Sequence, residues 1–189
     1  MSLEHAILGF VNDKPRTGYD LKKAFDSSVA HFWPASQSQI YRTLDRLTAD
    51  GFVEVRIVQQ DGKPNRKVYH ITETGYAQLQ EWLVNPLPLT ALREAFFIQF
   101  FWADAISRDE LANLLENRAS CHKSRIEDYS KILKRFDVKP PAGEWDKVLQ
   151  PLIVEAGIEL EKTWVSWTER ALKKVKALRP MTREKDDEE

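Results

Sequence analysis

The chain has 189 residues, which is long enough for one ordinary domain or two small ones. Hydrophobic residues make up 42% of it and charged residues 30%, a balance that is typical of water-soluble globular proteins and excludes a disordered chain. The formal net charge is -1, so any binding of nucleic acid would need a local cluster of cations. The single cysteine, Cys121, excludes an internal disulfide and fits a reducing cytoplasm.

Neither a signal peptide nor a membrane span is expected. The N-terminal residues MSLEHAILGFV contain an acid and no basic leader. The most apolar segment, ALREAFFIQFFWADAI, is interrupted by charged and polar residues and falls short of the roughly 18 apolar residues that a spanning helix needs. We therefore expect a cytoplasmic protein that does not bind a membrane.

Two short helices are predicted at the start of the chain. The apolar residues between Leu3 and Val11 have helical spacing, and the letters NDKPRTG that follow contain turn residues. Thr17 with Asp20 three places later is a typical N-terminal capping pair. A second helix is therefore expected from this pair to about Ser28.

A third helix is predicted after Ser36, which forms another capping pair with Gln39. Gly51 is expected to end this helix in the left-handed conformation. One face is apolar, with Ile40, Leu44 and Leu47. The other face is polar and carries Ser38, Gln39, Arg42, Asp45 and Arg46, with Tyr41 at its flank. The helix is therefore expected to bury one face and to expose hydrogen-bonding groups on the other.

Beyond this helix the hydrophobic period changes from 3.6 to 2. Alternating residues predict one strand around 53–57 and a second at 68–71. The connecting letters QQDGKPN contain Asp-Gly, a strong hairpin signal. A fourth helix is expected to begin at Thr72, and the proline-containing segment Asn85 to Thr90 is the most credible domain boundary.

The rest of the chain is predicted to be helical. A short helix containing FFIQFFW is apolar around nearly its whole circumference, so it should be buried on most sides. Ser107 with Glu110 opens a long helix to about Phe136. A last helical segment is expected from Trp145 to about Leu178, and Pro151 should kink it or mark its true start. Apolar residues recur along it at Leu149, Leu152, Ala156, Leu160, Trp164, Trp167, Ala171 and Val175.

The predicted fold class is mainly α with a small β-wing: an N-terminal winged helix-turn-helix followed by a C-terminal helical dimerisation domain. The expected boundaries are 1–84 for the winged helix-turn-helix, 85–90 for a linker, 91–180 for the helical domain and 181–189 for a charged, disordered tail.

Three helices followed by a hairpin indicate a DNA-binding winged helix, because a recognition helix buries one face and reads the major groove with the other. The wing tip GKPNRK carries cations and no acid, which suits a phosphate backbone. The candidate DNA-binding residues are Ser36, Ser38, Gln39, Tyr41, Arg42, Arg46, Lys63, Arg66 and Lys67. The alternatives are ordinary solvated charges on a helix and a hairpin, or a winged helix that binds a protein.

The segments GYDLKKAF, HFWPASQSQIYRTLDRLTADGFVE and KPNRKVYHITETG resemble the PadR family of bacterial transcriptional regulators. EAFFIQFFWADAISRDELANLLENR is similar to the C-terminal helical region of the longer, AphA-like subfamily. The family commonly has proline after the tyrosine of the recognition helix, where this chain has Arg42, so the DNA sequence that it reads is expected to differ. The resemblance implies a homodimeric repressor that is released by a small molecule such as a phenolic acid, or an activator of the same fold.

The C-terminal half also predicts a homodimer on physical grounds, since its apolar surface exceeds what about 90 residues hide alone. Such a dimer would present two recognition helices about 34 Å apart to a near-palindromic operator on double-stranded DNA. The alternative is a self-contained helical hairpin packed on the winged helix.

Aromatic residues with a few polar neighbours could bind a flat organic anion. The candidate effector-binding residues are Tyr19, His31, Trp33, Arg118 and His122. The alternative is that these aromatic residues only fill the core and the interfaces.

No cofactor, metal site or catalytic residue is predicted. The histidines lack the spacing of zinc ligands, and no glycine-rich phosphate loop is present. Cys121, next to His122, is expected to be a buried thiol without an activating base. An enzyme is therefore the least favoured class.

Overall fold

A computed structural model describes residues 2–29, 32–59, 62, 65–136 and 145–178. The chain divides into two compact units, Met1–Thr90 (unit 1) and Ala91–Glu189 (unit 2). None of the described helices is long and apolar enough to cross a membrane.

Unit 1 contains four helices and a small sheet among its described residues. Its elements in chain order are α1 (Ser2–Asp13), β1 (Arg16–Thr17), α2 (Gly18–Ser27), α3 (Gln37–Ala49), β2 (Val53–Val58), β3 (Arg66–Ile71) and α4 (Glu73–Val84). This order of helices followed by a hairpin confirms the predicted mainly helical fold with a small β-wing.

Local capping fixes where α2 and α3 begin. The Thr17 hydroxyl accepts a hydrogen bond from the Asp20 N–H at 3.1 Å, and the Ser36 hydroxyl accepts one from the Gln39 N–H at 3.3 Å. Both predicted capping pairs are therefore confirmed. Gly51, with φ of 74°, follows α3 in the left-handed region, as expected for a residue that ends a helix.

The sheet has three antiparallel strands in the order β1-β3-β2. Val53 pairs with Ile71 at one end of the hairpin, and Val58 pairs with Arg66 at the other. The prediction of a plain turn at NDKPRTG was incomplete, because Arg16 pairs with Tyr69 and makes a short third strand. Two residues are too few to show a period-2 pattern, so only the pairing with β3 identifies this strand.

The core of unit 1 lies between the helices and the sheet. It buries the predicted apolar face of α3 together with residues of α1, α2, α4, β2 and β3. Its most completely buried large side chains are Phe25, Ile7, Leu8, Leu21, Ile40, Leu44, Val11 and Val53. One side of α3 is therefore held in the core, and its other side is left at the surface.

Unit 2 is built on two long helices. Its elements are α5 (Ala95–Phe101), a 3-10 turn (Ala103–Ala105), α6 (Arg108–Leu133) and α7 (Asp146–Ala177). Ser107 caps α6 as predicted, with its hydroxyl 3.2 Å from the Glu110 N–H. The ion pairs Glu116–Lys176 and Lys123–Glu169 link early positions of α6 to late positions of α7, so the two helices run antiparallel.

Pro151 lies inside α7, so of the two predicted alternatives, a kink or the true start of the helix, the structure excludes the second. The sixth helical position lies beyond the first four residues, whose N–H groups lack a partner in any helix, so the proline costs α7 one backbone hydrogen bond near its start.

The short aromatic helix α5 is far less buried than its sequence predicts. Among the large side chains of α5, only Phe96 is buried, whereas Ile98 is 66% exposed and Phe101 is 75% exposed. The prediction of burial on most sides is therefore wrong within a single chain.

The N-terminal half of α7 exposes an aliphatic face, which we call the α7 stripe: Leu149, Leu152, Ile153 and Leu160. Their spacing of three, one and seven residues places them on one side of the helix. The opposite side faces α6 with buried residues that include Ile158 and Thr168. The described part of one chain therefore leaves this face of the helix uncovered.

Candidate nucleic-acid interface and aromatic cluster

The helix α3 separates buried from exposed residues as the sequence predicts. Ile40, Leu44 and Leu47 are at most 2% exposed. All six of the candidate DNA-binding residues between 36 and 46 are exposed: Ser36, Ser38, Gln39, Tyr41, Arg42 and Arg46.

Hydrogen bonds within unit 1 divide these residues by role. Ser36 and Gln39 bond each other's backbone N–H and so form the start of the helix. Arg46 is in an ion pair with Glu4 of α1, so its guanidinium is tied to the scaffold. Ser38, Tyr41 and Arg42 are the residues with side chains directed to the surface, and Arg42 Nε also donates to the Ser38 carbonyl at 3.4 Å.

The wing contributes two of the three predicted cations. Arg66 and Lys67 are exposed at the start of β3, and Lys63 lies outside the described residues. Arg66 Nη2 donates to Asp20 Oδ2 at 3.2 Å, which ties the wing to the first turn of α2. Lys67 makes no ion pair with the described part of the chain, so its ammonium group is available to a ligand.

A cleft of about 600 Å³ joins α2, α3 and β3, and we call it the α2–α3–β3 cleft. Its lining includes Thr17, Gly18, Tyr19, Tyr41, Arg66 and Lys67. Tyr19, a candidate effector residue, thus lies beside candidate DNA-binding residues. The cleft combines phenol hydroxyls with cations, which is the chemistry that binds phosphate oxygens.

The pKa values of two side chains in this cleft are shifted in opposite directions. The hydrogen bond from the Thr17 hydroxyl, with help from Arg66, holds the pKa of Asp20 below its usual value. Burial raises the pKa of Tyr69, and the nearby Asp45 adds to this effect. Asp20 is therefore an anion and Tyr69 a neutral hydroxyl at physiological pH.

Unit 2 contains an aromatic cluster formed by Phe96, Phe97, Phe100, Trp164 and Trp167. Trp167 meets three of the phenylalanine rings edge-on, with centroid distances of 5.5 to 6.1 Å. Phe97 lies 5.1 Å from Trp164. The cluster therefore links α5 to α7.

A polar chain borders this cluster. His122 stacks on Trp164 with parallel rings 5.4 Å apart, and its Nδ1 bonds the buried Glu161. Arg118 Nε donates to His122 Nε2 at 3.0 Å. Because a guanidinium only donates, Nε2 must accept, and the ring proton lies on Nδ1, from which it is donated to Glu161.

Arg118 connects the polar chain to the aromatic rings. Its guanidinium carbon lies 4.7 Å from the Phe96 ring centroid and 5.5 Å from that of Trp164. Its Nη2 is 3.1 Å from Glu94 Oε2. The Phe96 N–H, followed by Arg118, lowers the pKa of Glu94 below its usual value, so this acid is charged. A partly exposed arginine between two rings and a carboxylate is a suitable site for an aromatic acid.

The candidate effector residues do not form one described group. Arg118 and His122 are in direct contact in unit 2, whereas Tyr19 and the half-exposed Trp33 belong to unit 1. His31 lies outside the described residues. The effector role of these five residues therefore stays a prediction.

Two family models match this chain. Residues 7–81 match the "Transcriptional regulator PadR-like family", and residues 92–176 match "Virulence activator alpha C-term". The Mycobacterium tuberculosis protein "Probable transcriptional regulator Rv1176c" is 30% identical over 181 residues, which cover 88% of this chain and 94% of that protein. The chain belongs to the PadR-like family of transcriptional regulators.

Two further relatives have been solved. Bacillus subtilis "Negative transcriptional regulator PadR" is 29% identical over 90% of this chain and 95% of its own length. The match to its crystal structure with operator DNA covers 93% of this PadR-like chain and 99% of the B. subtilis chain, with 27% identity and a TM-score of 0.81. It has also been solved with p-coumaric acid. The Vibrio cholerae virulence activator AphA has 25% identity and a TM-score of 0.76 over 94% of this chain and 99% of that one.

These likenesses confirm the predicted resemblance to the PadR family with an AphA-like C-terminal region. They also confirm the fold class, because the match extends over both units of this PadR-like chain. The sequence reasoning missed Glu161, which lies three residues after Ile158 on the buried side of α7. An acid at this spacing within an apolar face was the signal that could have revealed it.

The prediction for the cysteine of this PadR-like chain was also wrong. Cys121 is exposed, and the buried residue of the pair is His122. Neighbours on a helix point about 100° apart, so only one of the two faces α7, and the larger ring that hydrogen-bonds Glu161 occupies that side.

Proposed function

We propose that this protein is a cytoplasmic, homodimeric transcriptional repressor that binds a near-palindromic DNA operator and is released by a small aromatic acid. The observation that carries the proposal is the α2–α3–β3 cleft, which places Tyr41 of the exposed α3 face beside the wing cations Arg66 and Lys67. Operator DNA bound to the B. subtilis relative, at a TM-score of 0.81, supports the same mode of binding here.

The proposed roles follow from groove chemistry. Ser38, Tyr41 and Arg42 lie on the exposed side of α3 and would face base edges and nearby phosphates. Arg66 and Lys67 would hold the sugar–phosphate backbone beside the groove, and Lys63 is proposed to join them. Ser36 and Gln39 would act by holding the first turn of α3 in shape.

Replacing Arg66 and Lys67 together with alanine is expected to weaken binding to operator and random DNA alike. Each lost phosphate contact should also reduce the slope of log Kd against log salt concentration by about 0.9. The measurement is a mobility-shift titration with DNA from the protein's own upstream region at several salt concentrations.

The matched control replaces Lys131 and Lys162 with alanine. Each double variant loses two cations, so the change in net charge is the same. Lys131 and Lys162 belong to unit 2, where they pair with Asp128 and Glu159. The control should bind with the wild-type salt slope. An unchanged slope for the wing variant would remove both cations from the interface. Absence of any shift by the wild-type protein would favour a protein-binding winged helix.

The proposed dimer rests on the α7 stripe, whose members are 48% to 65% exposed in one chain. Leaving a row of aliphatic side chains in water costs free energy. In a two-fold symmetric dimer the second copy brings its own α7 stripe against the first, so both rows are buried. The antiparallel pairing of α6 with α7 already uses the other side of this helix. A dimer would also bring two copies of α3 to two half-sites.

The proposed effector site is the exposed edge of Arg118 in the aromatic cluster. In the free protein the Arg118 guanidinium forms an ion pair with Glu94 at 3.1 Å, and the rings of Phe96 and Trp164 flank the guanidinium. An aromatic carboxylate would take the place of the Glu94 carboxylate and lay its ring against these side chains. The complex of the B. subtilis relative with p-coumaric acid supports this class of ligand.

Replacing Arg118 with alanine is expected to weaken p-coumaric acid binding by about 10-fold or more, because a charge-assisted bidentate contact is lost. Glu94→Gln should have the opposite effect and tighten binding several-fold, since it removes the competing carboxylate. Isothermal titration calorimetry of each variant measures both changes.

Arg125→Ala is the control, because Arg125 also pairs with an acid of the polar chain, Glu161, but makes no ring contact among the described residues. Its affinity for p-coumaric acid should match the wild type. If Arg118→Ala and Arg125→Ala bind equally well, the effector site lies elsewhere.

Activation in place of repression is the second candidate, and the likeness to AphA, a virulence activator, favours it. The B. subtilis relative, a negative regulator, favours repression at slightly higher identity. Expression of a reporter from the bound promoter, with and without the gene for this protein, decides the sign.

A further inference from the structure

Gly18, the first residue of α2, lies directly against the ring of Tyr41. A Cβ atom built on Gly18 would be 2.6 Å from both Cε1 and Cζ of Tyr41, and 2.9 Å from its hydroxyl oxygen. Contacts below about 3 Å lie well inside van der Waals distance, so any side chain at this position would push the ring away.

The backbone does not explain a glycine at this position. Positive φ among the described glycines occurs at Gly51 and Gly62, and Gly18 has an ordinary helical conformation. Glycine is a poorer helix former than alanine, so local helix stability would favour a side chain here. The remaining reason for glycine is the space that the Tyr41 ring occupies.

The orientation of the Tyr41 ring matters because the ring packs against Gly18 of α2 and also belongs to the exposed face of α3. It is 37% exposed, and it lines the α2–α3–β3 cleft with Arg66 and Lys67. The buried Tyr69 also lines this cleft. The rotamer of Tyr41 therefore sets where a phenol hydroxyl meets a ligand in this cleft.

The same turn of α2 fixes the wing. Asp20 accepts from the Thr17 hydroxyl at 2.7 Å and from Arg66 Nη2 at 3.2 Å. The turn Thr17–Asp20 thus contacts both elements that the proposed function assigns to DNA, the tyrosine through Gly18 and the arginine through Asp20.

We propose that Gly18 is a specificity-determining position in DNA recognition, because the missing side chain seats the Tyr41 ring in the orientation that reads the operator. This inference rests on the proposed function. Gly18 acts through Tyr41 and is a positioning residue, so its substitution should affect the discrimination between sequences more than the electrostatic attraction to DNA.

The test is a double-mutant cycle on the full-length protein with Gly18→Ala, Tyr41→Ala and the double variant. Each is titrated with a duplex from the protein's own upstream region and with a random duplex of equal length. Gly18→Ala should raise the Kd for the upstream duplex about 10-fold and leave the random duplex within about 2-fold. In the Tyr41→Ala background the same substitution should change neither Kd, because no ring remains to be displaced.

Gly9→Ala is the matched control, since a Cβ atom at Gly9 meets nothing within 4 Å. It should bind both duplexes like the wild type. Wild-type binding by Gly18→Ala, or an equal loss in the Tyr41→Ala background, would overturn the inference while leaving DNA binding intact. A wild-type protein that binds neither duplex would overturn the proposed function itself.

Discussion

Replacing Leu152 and Leu160 with glutamate is expected to convert the proposed dimer into a monomer and to weaken operator binding by about 100-fold or more. The two side chains are 51% and 65% exposed in one chain and belong to the α7 stripe. In a dimer they would lie in a dry interface, where carboxylates without partners are strongly unfavourable. A monomer engages one half-site at a time, so it loses the effective concentration that links the two half-sites.

Light scattering coupled to size-exclusion chromatography measures the mass, and a mobility shift measures the affinity. The control combines Lys162→Gln with Ser166→Glu, which makes the same change in net charge on another side of α7. Both of these residues are exposed. The control should remain a dimer and bind DNA normally. A leucine variant that keeps the mass of two chains would place the dimer interface away from the stripe.

Replacing Gly75 with alanine is expected to lower the free energy of unfolding of unit 1 by about 3 kcal/mol. A Cβ atom at this position would lie 2.0 Å from the carbonyl oxygen of Phe52. That oxygen also accepts the Thr72 N–H at 3.1 Å, so it cannot move without breaking the junction between the hairpin and α4. Either α4 shifts away from the sheet or the hydrogen bond is lost.

Gly9→Ala in α1 is again the control, and here it should stabilise unit 1 by up to about 1 kcal/mol because alanine is the better helix former. Hydrogen exchange of amides in α1 and α4, followed by mass spectrometry, reports on unit 1 separately from unit 2. If the α4 amides exchange equally slowly in Gly75→Ala and in the wild-type protein, α4 accommodates the added methyl group without a loss of stability.

The features that were predicted correctly are local in the sequence. Thr17 with Asp20, Ser36 with Gln39 and Ser107 with Glu110 each lie three residues apart, and each pair forms its capping box in the structure. A helix start depends on these few neighbouring groups, so a short motif is enough to identify it. The same holds for the two faces of α3, which follow from helical periodicity.

The features that were missed depend on contacts between distant segments. The Arg66–Asp20 pair joins residues 46 positions apart, and His122 meets Glu161 across 39 positions. The strand β1 exists only through its partner β3. No local pattern contains such pairings, which is why the DNA and effector roles of single residues remain predictions.

The Arg66–Asp20 pair has a kinetic consequence for target search. A DNA-binding regulator competes with about a million or more non-specific sites before it finds its operator, and strong attraction to all of these sites would slow the search. In the free protein this arginine is already matched by an internal acid at 3.2 Å. Under the proposed function, DNA of any sequence has to displace Asp20 to engage this arginine, which lowers the attraction to every site by the same amount. The protein would then leave each wrong site sooner and reach its operator faster.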